Sequence, residues 1–362
     1  LSAQLITSLT DALLYSELRE IYIYGGRCGY RLTDEDLNTL CVAISSSSIE
    51  LESLCLPYHR IGDNGLEYIC TTFFSSTGKL QRLDLEGNDI SANGMKALKF
   101  ALGKDCSLLS LNLSGNRLEE NGGMILSETF SLNDSLRQVF INNCGFSLLA
   151  TIGICTALGE KGSFSVIEEF EINRPIVPKY MPGEESCDHF SRIIGHTSSL
   201  RHLSLKYHSI TDLGSRLIAQ NLNRADAMVS LNLECNRIGV AGAEALASYL
   251  IGQARNGKPS LEALYLSHNM ISDQGAIALA EAIQENKNLK CLTLKTNSVK
   301  TEGLSALSFA IQKNNTLEYL SIFGNEFSSK GEGNVGQLFH SLIDQRLPYI
   351  PLEIDIRTYI VD

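Results

Sequence analysis

The sequence predicts an α/β solenoid built from about a dozen stacked units, each with a strand, a turn and a helix. Three observations predict this fold class. One nine-residue phrase recurs along the chain, its copies open about 28 residues apart, and most copies are followed by a glycine and a helical stripe of small and apolar residues. Such units bury their apolar faces only against their neighbours. The 362 residues therefore do not imply several globular domains.

The strand of each unit is predicted by the phrase L-x-x-L-x-L-x-x-N, with leucines expected in the core. Strict copies are LQRLDLEGN at 80–88, LLSLNLSGN at 108–116, LEALYLSHN at 261–269, LKCLTLKTN at 289–297 and LEYLSIFGN at 317–325. Looser copies open at Leu18, Leu51, Leu136, Ile167, Leu200 and Met228. We expect the Asn side chain to bind the backbone of neighbouring turns. Weaker ladders are expected where His59, Cys144, Pro175 or His208 replaces it.

The turn and helix follow each phrase in a regular way. A glycine comes six residues after the Asn position at Gly65, Gly94, Gly122, Gly214, Gly242, Gly275, Gly303 and Gly331. We interpret this glycine as the residue that lets the backbone turn tightly into the helix. Residues such as Ala243, Leu246, Ala247 and Leu250 then recur on one helical stripe.

These phrases and glycines resemble the ribonuclease-inhibitor type of leucine-rich repeat over nearly the whole chain. The resemblance implies a horseshoe-shaped leucine-rich-repeat solenoid, with a parallel sheet on the concave face and helices on the convex face. It is specific for the fold and much less so for function.

The ends and insertions give the expected organisation. Residues 1–17 look like the helical remainder of a truncated repeat, residues 18–346 hold eleven repeats of about 28 residues, and residues 347–362 form a C-terminal capping strand. The end segment is alternatively a strand awaiting a partner. Insertions are expected at 25–36, 159–165, 173–186 and 251–260. The Pro-rich segment 173–186 is either a binding loop or a tolerated surface insertion.

Composition excludes several classes of protein. With 44% hydrophobic residues the chain is too apolar for disorder, and no run reaches the about 18 apolar residues of a membrane helix. A net charge of −11 argues against nucleic acid as a partner. The ten cysteines have no C-x-x-C spacing, which favours reduced thiols in a cytoplasmic or nuclear protein. We expect no metal and no cofactor, and we interpret the sequons at Asn112, Asn133 and Asn314 as chance.

Alternation along each strand predicts which side chains line the concave face. Acidic residues are expected in the middle of that face and aromatic residues toward its C-terminal end, although a solvated sheet face needs polar residues in any case. The residues predicted to bind a partner are Tyr22, Tyr24, Asp84, Glu86, Phe140, Glu169, Glu171, Pro178, Tyr180, Tyr207, Glu234, Tyr265, Tyr319 and Phe323. Exposed carboxylates steer basic partners, so we expect a basic protein.

No catalytic phrase is found, so the sequence favours a non-catalytic scaffold that binds a protein and no small-molecule substrate or membrane. Such a protein could be a subunit of a larger nuclear or ciliary axonemal assembly. The alternative is a regulator of a small GTPase that resembles the GTPase-activating protein for Ran. Arg60, Arg117 and Arg237 follow the ladder position at the strand-to-helix edge and are the candidate residues for that role.

Overall fold

The chain forms two compact units, unit 1 (residues 1–176) and unit 2 (residues 177–362). The computed structural model describes residues 8, 18–26, 30–47, 49–74, 78–103, 106–162, 165–176, 184–258, 261–326, 339 and 353–355. Pro178 and Tyr180 lie outside the described residues, as do nearly all of the predicted segments 1–17 and 347–362.

Unit 1 alternates strands and helices, and its strands pair in parallel in chain order. The strands are β1 (Glu20–Tyr22), β2 (Ser53–Cys55), β3 (Arg82–Asp84), β4 (Ser110–Asn112), β5 (Gln138–Phe140) and β6 (Glu169–Glu171). The helices are α1 (Asp34–Ser45), α2 (Asp63–Phe73), α3 (Gly94–Ala101), α4 (Glu119–Leu132) and α5 (Leu148–Lys161).

Unit 2 repeats this order and also pairs its strands in parallel. Its helices are α6 (Glu184–His196), α7 (Asp212–Leu222), α8 (Val240–Arg255), α9 (Ser272–Glu285) and α10 (Thr301–Lys313). Its strands are β7 (His202–Ser204), β8 (Ser230–Asn232), β9 (Ala263–Tyr265), β10 (Cys291–Thr293), β11 (Tyr319–Ser321) and β12 (Glu353–Asp355).

The core of each unit lies between the sheet and the helices. Leu80, Leu83 and Leu85 of one phrase are fully buried, and so are Leu264 and Leu266 of another. The central residues of neighbouring strands lie opposite one another, which stacks the leucines into continuous layers. Burying each such side chain contributes about 1.5–3 kcal/mol. The predicted α/β solenoid, with a parallel sheet and helices packed on one face of it, is confirmed within each unit.

An asparagine ladder closes the turns after the strands. The Asn116 amide nitrogen donates to the carbonyl oxygens of Leu85 and Leu113, both at 2.9 Å. Its amide oxygen accepts the Ile90 N–H at 3.1 Å. Equivalent bonds are made by Asn88, Asn236, Asn269, Asn297 and Asn325. Each of these asparagines therefore binds its own repeat and the preceding repeat.

His59 and Cys144 take the ladder position in two of the repeats. His59 Nδ1 accepts the Leu32 N–H at 3.0 Å, and Nε2 lies 3.0 Å from the carbonyl oxygen of Ile23. This pattern requires a neutral ring with its proton on Nε2. Burial lowers the pKa of His59, which favours the same form. Cys144 donates its thiol to the Leu113 carbonyl at 3.3 Å, but it has no oxygen to accept an N–H.

The interpretation of the repeated glycines is wrong. The seven that the structure describes lie at the N-terminal ends of the helices, and their φ angles are not in the left-handed region; Gly331 lies outside the described residues. The reason for glycine is lack of space: a Cβ on Gly303 would lie 2.6 Å from Val299 Cγ1 of its own repeat, 2.8 Å from Asp273 Oδ1 and 3.0 Å from the Ala276 side chain of the preceding repeat. Asp273 Oδ1 also accepts the Gly303 N–H at 2.9 Å, so the bare backbone is part of the contact.

A second set of asparagines, which sequence reasoning missed, closes the helix-to-strand turns. Asn133 donates to the Leu102 carbonyl at 3.0 Å, and Asn314 donates to the Asn286 carbonyl at 3.0 Å. The amide oxygen of Asn314 accepts the Leu317 N–H at 2.8 Å. Asn133 and Asn314 are two of the three sequon asparagines, and both are buried.

The cysteines and the helices of the described residues show two further properties. Every cysteine among them is a free thiol. In the same residues, no helix is both long and apolar enough to cross a membrane.

Candidate functional site

The face of each sheet that the helices leave uncovered carries the predicted partner-binding residues. We call it the open face. On it lie the first and third residues of each strand and the residue two positions beyond, because side chains alternate along a strand. In unit 1 the exposed large hydrophobic side chains on this face, among the described residues, are Tyr22, with 68% of its surface exposed, and Tyr24, with 42%.

An aromatic and acidic area lies on the open face from β1 to β3. The Tyr24 and Tyr58 rings meet edge to face, with centroids 5.4 Å apart. The Tyr58 hydroxyl donates to a carboxylate oxygen of Glu86, and this bond, with burial, raises the pKa of Tyr58 to about 12. Asn112 donates to the other oxygen of Glu86 at 3.3 Å. Both carboxylate oxygens of Glu86 are therefore bound by neutral donors.

Tyr58 has a left-handed backbone, with φ of 63°, directly before the ladder position. A left-handed conformation costs a residue other than glycine about 1–2 kcal/mol. Tyr207 in unit 2 has the same conformation at the same position, with φ of 62°. Glycine occupies it at Gly87, Gly115 and Gly324. Asn143, Arg174, Cys235, His268 and Thr296 adopt the same conformation at this position, so the left-handed backbone belongs to the repeated turn and is not particular to the tyrosines.

A second pair of carboxylates lies on β6. Gln138 donates to Glu169 at 2.9 Å, and Asn142 donates to Glu171 at 2.7 Å. Phe140 is half-buried and lies opposite Glu171 in the register. Amide donors satisfy these carboxylates without neutralising them. The open face of unit 1 is therefore predominantly acidic, and at about 4.8 Å between strands the β3 and β6 carboxylates are about 14 Å apart.

Asp84 lies on the same face but is more enclosed. Burial raises the pKa of this carboxyl, and the neighbouring charge of Glu86 acts in the same direction. Arg82, the first residue of β3, lowers the pKa again through its positive charge.

The open face of unit 2 has a shallow depression of about 450 Å³ that contains both charges and tyrosines. Its lining includes Tyr207, Tyr265 and Tyr319. Glu234 Oε2 lies 2.9 Å from Lys206 Nζ. Burial opposes ionisation of Glu234, but the ion pair with Lys206 and hydrogen bonds from hydroxyl groups outweigh it and hold the pKa below its usual range. Lys206 therefore compensates the negative charge of Glu234, whereas Glu86, Glu169 and Glu171 of unit 1 are bound by neutral donors.

A second ion pair in unit 2 joins Lys295 Nζ to Asp355 Oδ2 at 2.8 Å. The Ser321 hydroxyl lies 3.3 Å from the same carboxylate oxygen. The hydrogen bond that Lys295 donates to Asp355 raises the pKa of Lys295, so the lysine stays charged.

The structure thus divides the predicted residues between two surfaces. Unit 1 holds Tyr22, Tyr24, Asp84, Glu86, Phe140, Glu169 and Glu171, and unit 2 holds Tyr207, Glu234, Tyr265, Tyr319 and Phe323. Glu234 was predicted as part of the acidic area, but it lies in unit 2 and is paired with Lys206. Sequence reasoning missed Lys295, which the same alternation rule would have found.

The arginines considered for GTPase regulation are exposed. Arg60, Arg117 and Arg237 occupy equivalent positions in their repeats. Each donates its backbone N–H to a carbonyl of the preceding repeat at 2.8–3.1 Å. Within the described residues, no group of three or more His, Cys, Asp and Glu side chains could hold a metal ion.

Comparison with known proteins agrees with the fold. A family model described as "Leucine Rich repeat" matches residues 79–99, 104–127, 228–247, 257–280 and 313–331. Protein CARMIL of Dictyostelium discoideum is 27% identical over 198 residues, which is 54% of this chain and 17% of that protein. Human leucine-rich repeat-containing protein 73 is 25% identical over 195 residues, 53% of this chain and 58% of that protein. The chain thus spans less than two thirds of either relative.

Two solved structures share the fold over most of the chain. The crystal structure of the yeast Rad7 and Elc1 complex matches with a TM-score of 0.54 and 16% identity, over 91% of this chain and 76% of that one. An internalin of Listeria monocytogenes matches with a TM-score of 0.52 and 13% identity, over 99% of this chain and 95% of that one. At these identities the likeness shows the fold alone.

Proposed function

We propose that this leucine-rich-repeat protein is a non-catalytic scaffold that binds a protein partner through its open faces and its strand-to-helix edge loops. The observation that carries the proposal is the set of exposed and half-buried tyrosines beside fixed charges on a face that the helices leave uncovered. Tyrosine is enriched at interface hot spots because its rigid ring buries much area at little entropic cost. The leucine-rich-repeat fold is typical of protein-interaction scaffolds, and one structurally similar chain comes from the crystal structure of the yeast Rad7 and Elc1 complex.

The partner that we propose for unit 1 is basic. Glu86, Glu169 and Glu171 accept bonds from neutral donors, so their charges remain available to a partner. Charges of this kind raise the association rate more than the affinity. We propose no role for nucleic acid, membrane, cofactor or small-molecule substrate.

Crosslinking mass spectrometry in cell lysate tests this function. We expect crosslinked partner peptides to map to the open faces, and the double variant Glu169→Lys, Glu171→Lys to lose those on unit 1. Phe100→Ala is the matched control, since Phe100 is 92% exposed but lies on helix α3. Crosslinks that map only to the helices, or that persist in the double variant, would contradict the proposal for unit 1.

The cellular setting is a further part of the proposal. The segments RPIVPKYMPGEESCDHFSRIIGHTSSLRHLSLKYHSI (174–210) and PLEIDIRTYIVD (351–362) resemble the vertebrate leucine-rich repeat-containing protein 34. With the reduced cysteines, this resemblance favours a cytoplasmic or nuclear protein, including a subunit of a ciliary axonemal assembly. Immunofluorescence with the tagged chain tests this location.

The exposed arginines at equivalent positions are the observation behind a second candidate, a GTPase-activating regulator that resembles the Ran activator. A guanidinium at such an edge stabilises the charge that develops on a transferring phosphoryl group. Single-turnover GTP hydrolysis with a panel of small GTPases decides between the candidates. Stimulation that is lost in Arg60→Ala, Arg117→Ala or Arg237→Ala would replace the scaffold by the regulator.

A further inference from the structure

Strand β12 is attached to unit 2 differently from the other strands. It pairs in parallel with the edge of β11, where the Glu353 N–H donates to the Glu318 carbonyl at 2.8 Å and the Asp355 carbonyl accepts the Ile322 N–H at 3.2 Å. Its central residue, Ile354, is only half-buried, whereas the central residues of the other described strands are buried. Within the described residues, backbone bonds contribute more to the attachment of β12 than core packing does.

The side chain of Asp355 makes the specific contact of this strand. It reaches past β11 to Lys295, beyond the end of β10, at 2.8 Å, and it lies 3.3 Å from the Ser321 hydroxyl on β11. We call Lys295 and Ser321 the carboxylate subsite. The subsite is partly enclosed, because 32% of the Lys295 side chain and 22% of the Asp355 side chain are exposed. It recognises a carboxylate at one register position of a strand on this edge.

We propose that the outer edge of β11 is a docking site for an extended segment of a partner protein, in which an apolar residue precedes an acidic one. Residues 353–355 show the chemistry that fits: Ile354 is turned toward the core and Asp355 is bound in the carboxylate subsite. Addition of a strand to a sheet edge takes its affinity from main-chain bonds and its specificity from side-chain pockets. The carboxylate subsite belongs to the open face of unit 2, but the edge binds a strand through backbone bonds that the face does not offer, so the proposal goes beyond the function proposed above.

The chain's own strand competes with such a partner. A tethered segment acts at an effective concentration of about millimolar, so a free segment of similar affinity displaces it poorly. A change that weakens β12 without touching β11 therefore exposes the edge. A longer partner segment also overcomes the competition, because it makes more backbone hydrogen bonds than the three residues of β12 can make.

A labelled peptide tests the edge in the intact 362-residue chain. The probe is fluorescein-labelled PLEIDIRTYIVD, residues 351–362, with fluorescence anisotropy as the readout. Two variants of the chain open the edge: Glu353→Pro removes the N–H that the Glu318 carbonyl accepts, and Asp355→Lys places a second cation beside Lys295. We expect both to bind the probe at least about tenfold more tightly than the unaltered chain, as the loss of tethered competition requires.

A charge exchange tests the subsite within the opened chain. Lys295→Glu added to Glu353→Pro is expected to weaken binding of the probe about tenfold. The reason is that the ion pair between Lys295 and the aspartate of the probe becomes a repulsion between two carboxylates. The probe with Lys in place of Asp355 should bind poorly to Glu353→Pro and regain affinity in the Lys295→Glu background. Far-UV circular dichroism of each variant shows that the sheet is retained, and a variant that loses it is replaced by the other opening variant.

Three results would overturn the proposal. They are equal probe affinity for the unaltered and both opened chains, probe affinity that does not change with Lys295→Glu, and opened chains that form dimers which the probe does not dissociate. The last result would assign the edge to a second copy of this chain. Light scattering after gel filtration detects it.

Discussion

Asn116→Ala removes one rung of the asparagine ladder without changing the leucine core. The side chain is 1% exposed, so water does not replace its bonds. The Ile90 N–H loses the oxygen that accepts it at 3.1 Å and is left buried without an acceptor. A buried donor left in this state costs about 1–3 kcal/mol.

The two carbonyl groups bound by Asn116 are affected less. The Leu85 carbonyl keeps a bond from Asn88 at 3.0 Å, and the Leu113 carbonyl keeps one from the Cys144 thiol at 3.3 Å. Each therefore loses a second bond worth about 0.5–1.5 kcal/mol. With the orphaned N–H, the free energy of unfolding should fall by about 2–6 kcal/mol.

Urea denaturation followed by circular dichroism measures the loss, and hydrogen exchange with mass spectrometry locates it. Because repeat units contact only their neighbours, faster exchange should be confined to the peptides around Ile90. The control is Asn93→Ala, since Asn93 is exposed, and a change within about 0.5 kcal/mol is expected for such a surface position. A loss below about 1 kcal/mol for Asn116→Ala, or one equal to the control, would refute the reasoning.

The other predictions concern pH and glycine. Because the folded pKa of His59 lies below the unfolded value of about 6.5, its contribution to stability is complete above that pH and is lost as the pH falls toward the folded pKa. His59→Asn should remove this part of the pH dependence, as urea titrations at several pH values will show; an unchanged profile would contradict it. Gly303→Ala should destabilise by about 1–3 kcal/mol, because a Cβ would crowd Asp273. Gly252→Ala is the matched control with nothing within 4 Å, and it should stabilise by about 0.5–1 kcal/mol; equal melting temperatures for the two variants would rule out the crowding argument.

The strands and helices could be predicted because their signals are local. A leucine at every second or third position determines which face of a short segment is buried, as Leu83 and Leu85 illustrate. The reason for the glycines could not be predicted in this way. A Cβ on Gly303 would meet Val299, four residues earlier, but also Asp273 and Ala276, about one repeat away, and the latter two contacts depend on how closely two helices pack.

The open-face residues could likewise be predicted from alternation, but their charge states could not. Glu234 counts as acidic in the sequence, although Lys206, one repeat earlier, neutralises it. A search for opposite charges spaced by one repeat would have found this pair. Asp355 lies outside every strict phrase, so only the structure shows that it binds Lys295.

The ladder also gives the molecule a direction. The Ile61 N–H is accepted by Asn88, the Ile90 N–H by Asn116 and the Ile238 N–H by Asn269, so these turns are completed by side chains 26 to 31 positions downstream. During synthesis a turn therefore stays open until the next repeat has left the ribosome. At roughly 5–20 residues per second this takes a few seconds. The growing chain always carries one incomplete turn at its newest end, and it is there that a chaperone or an early partner would find accessible backbone.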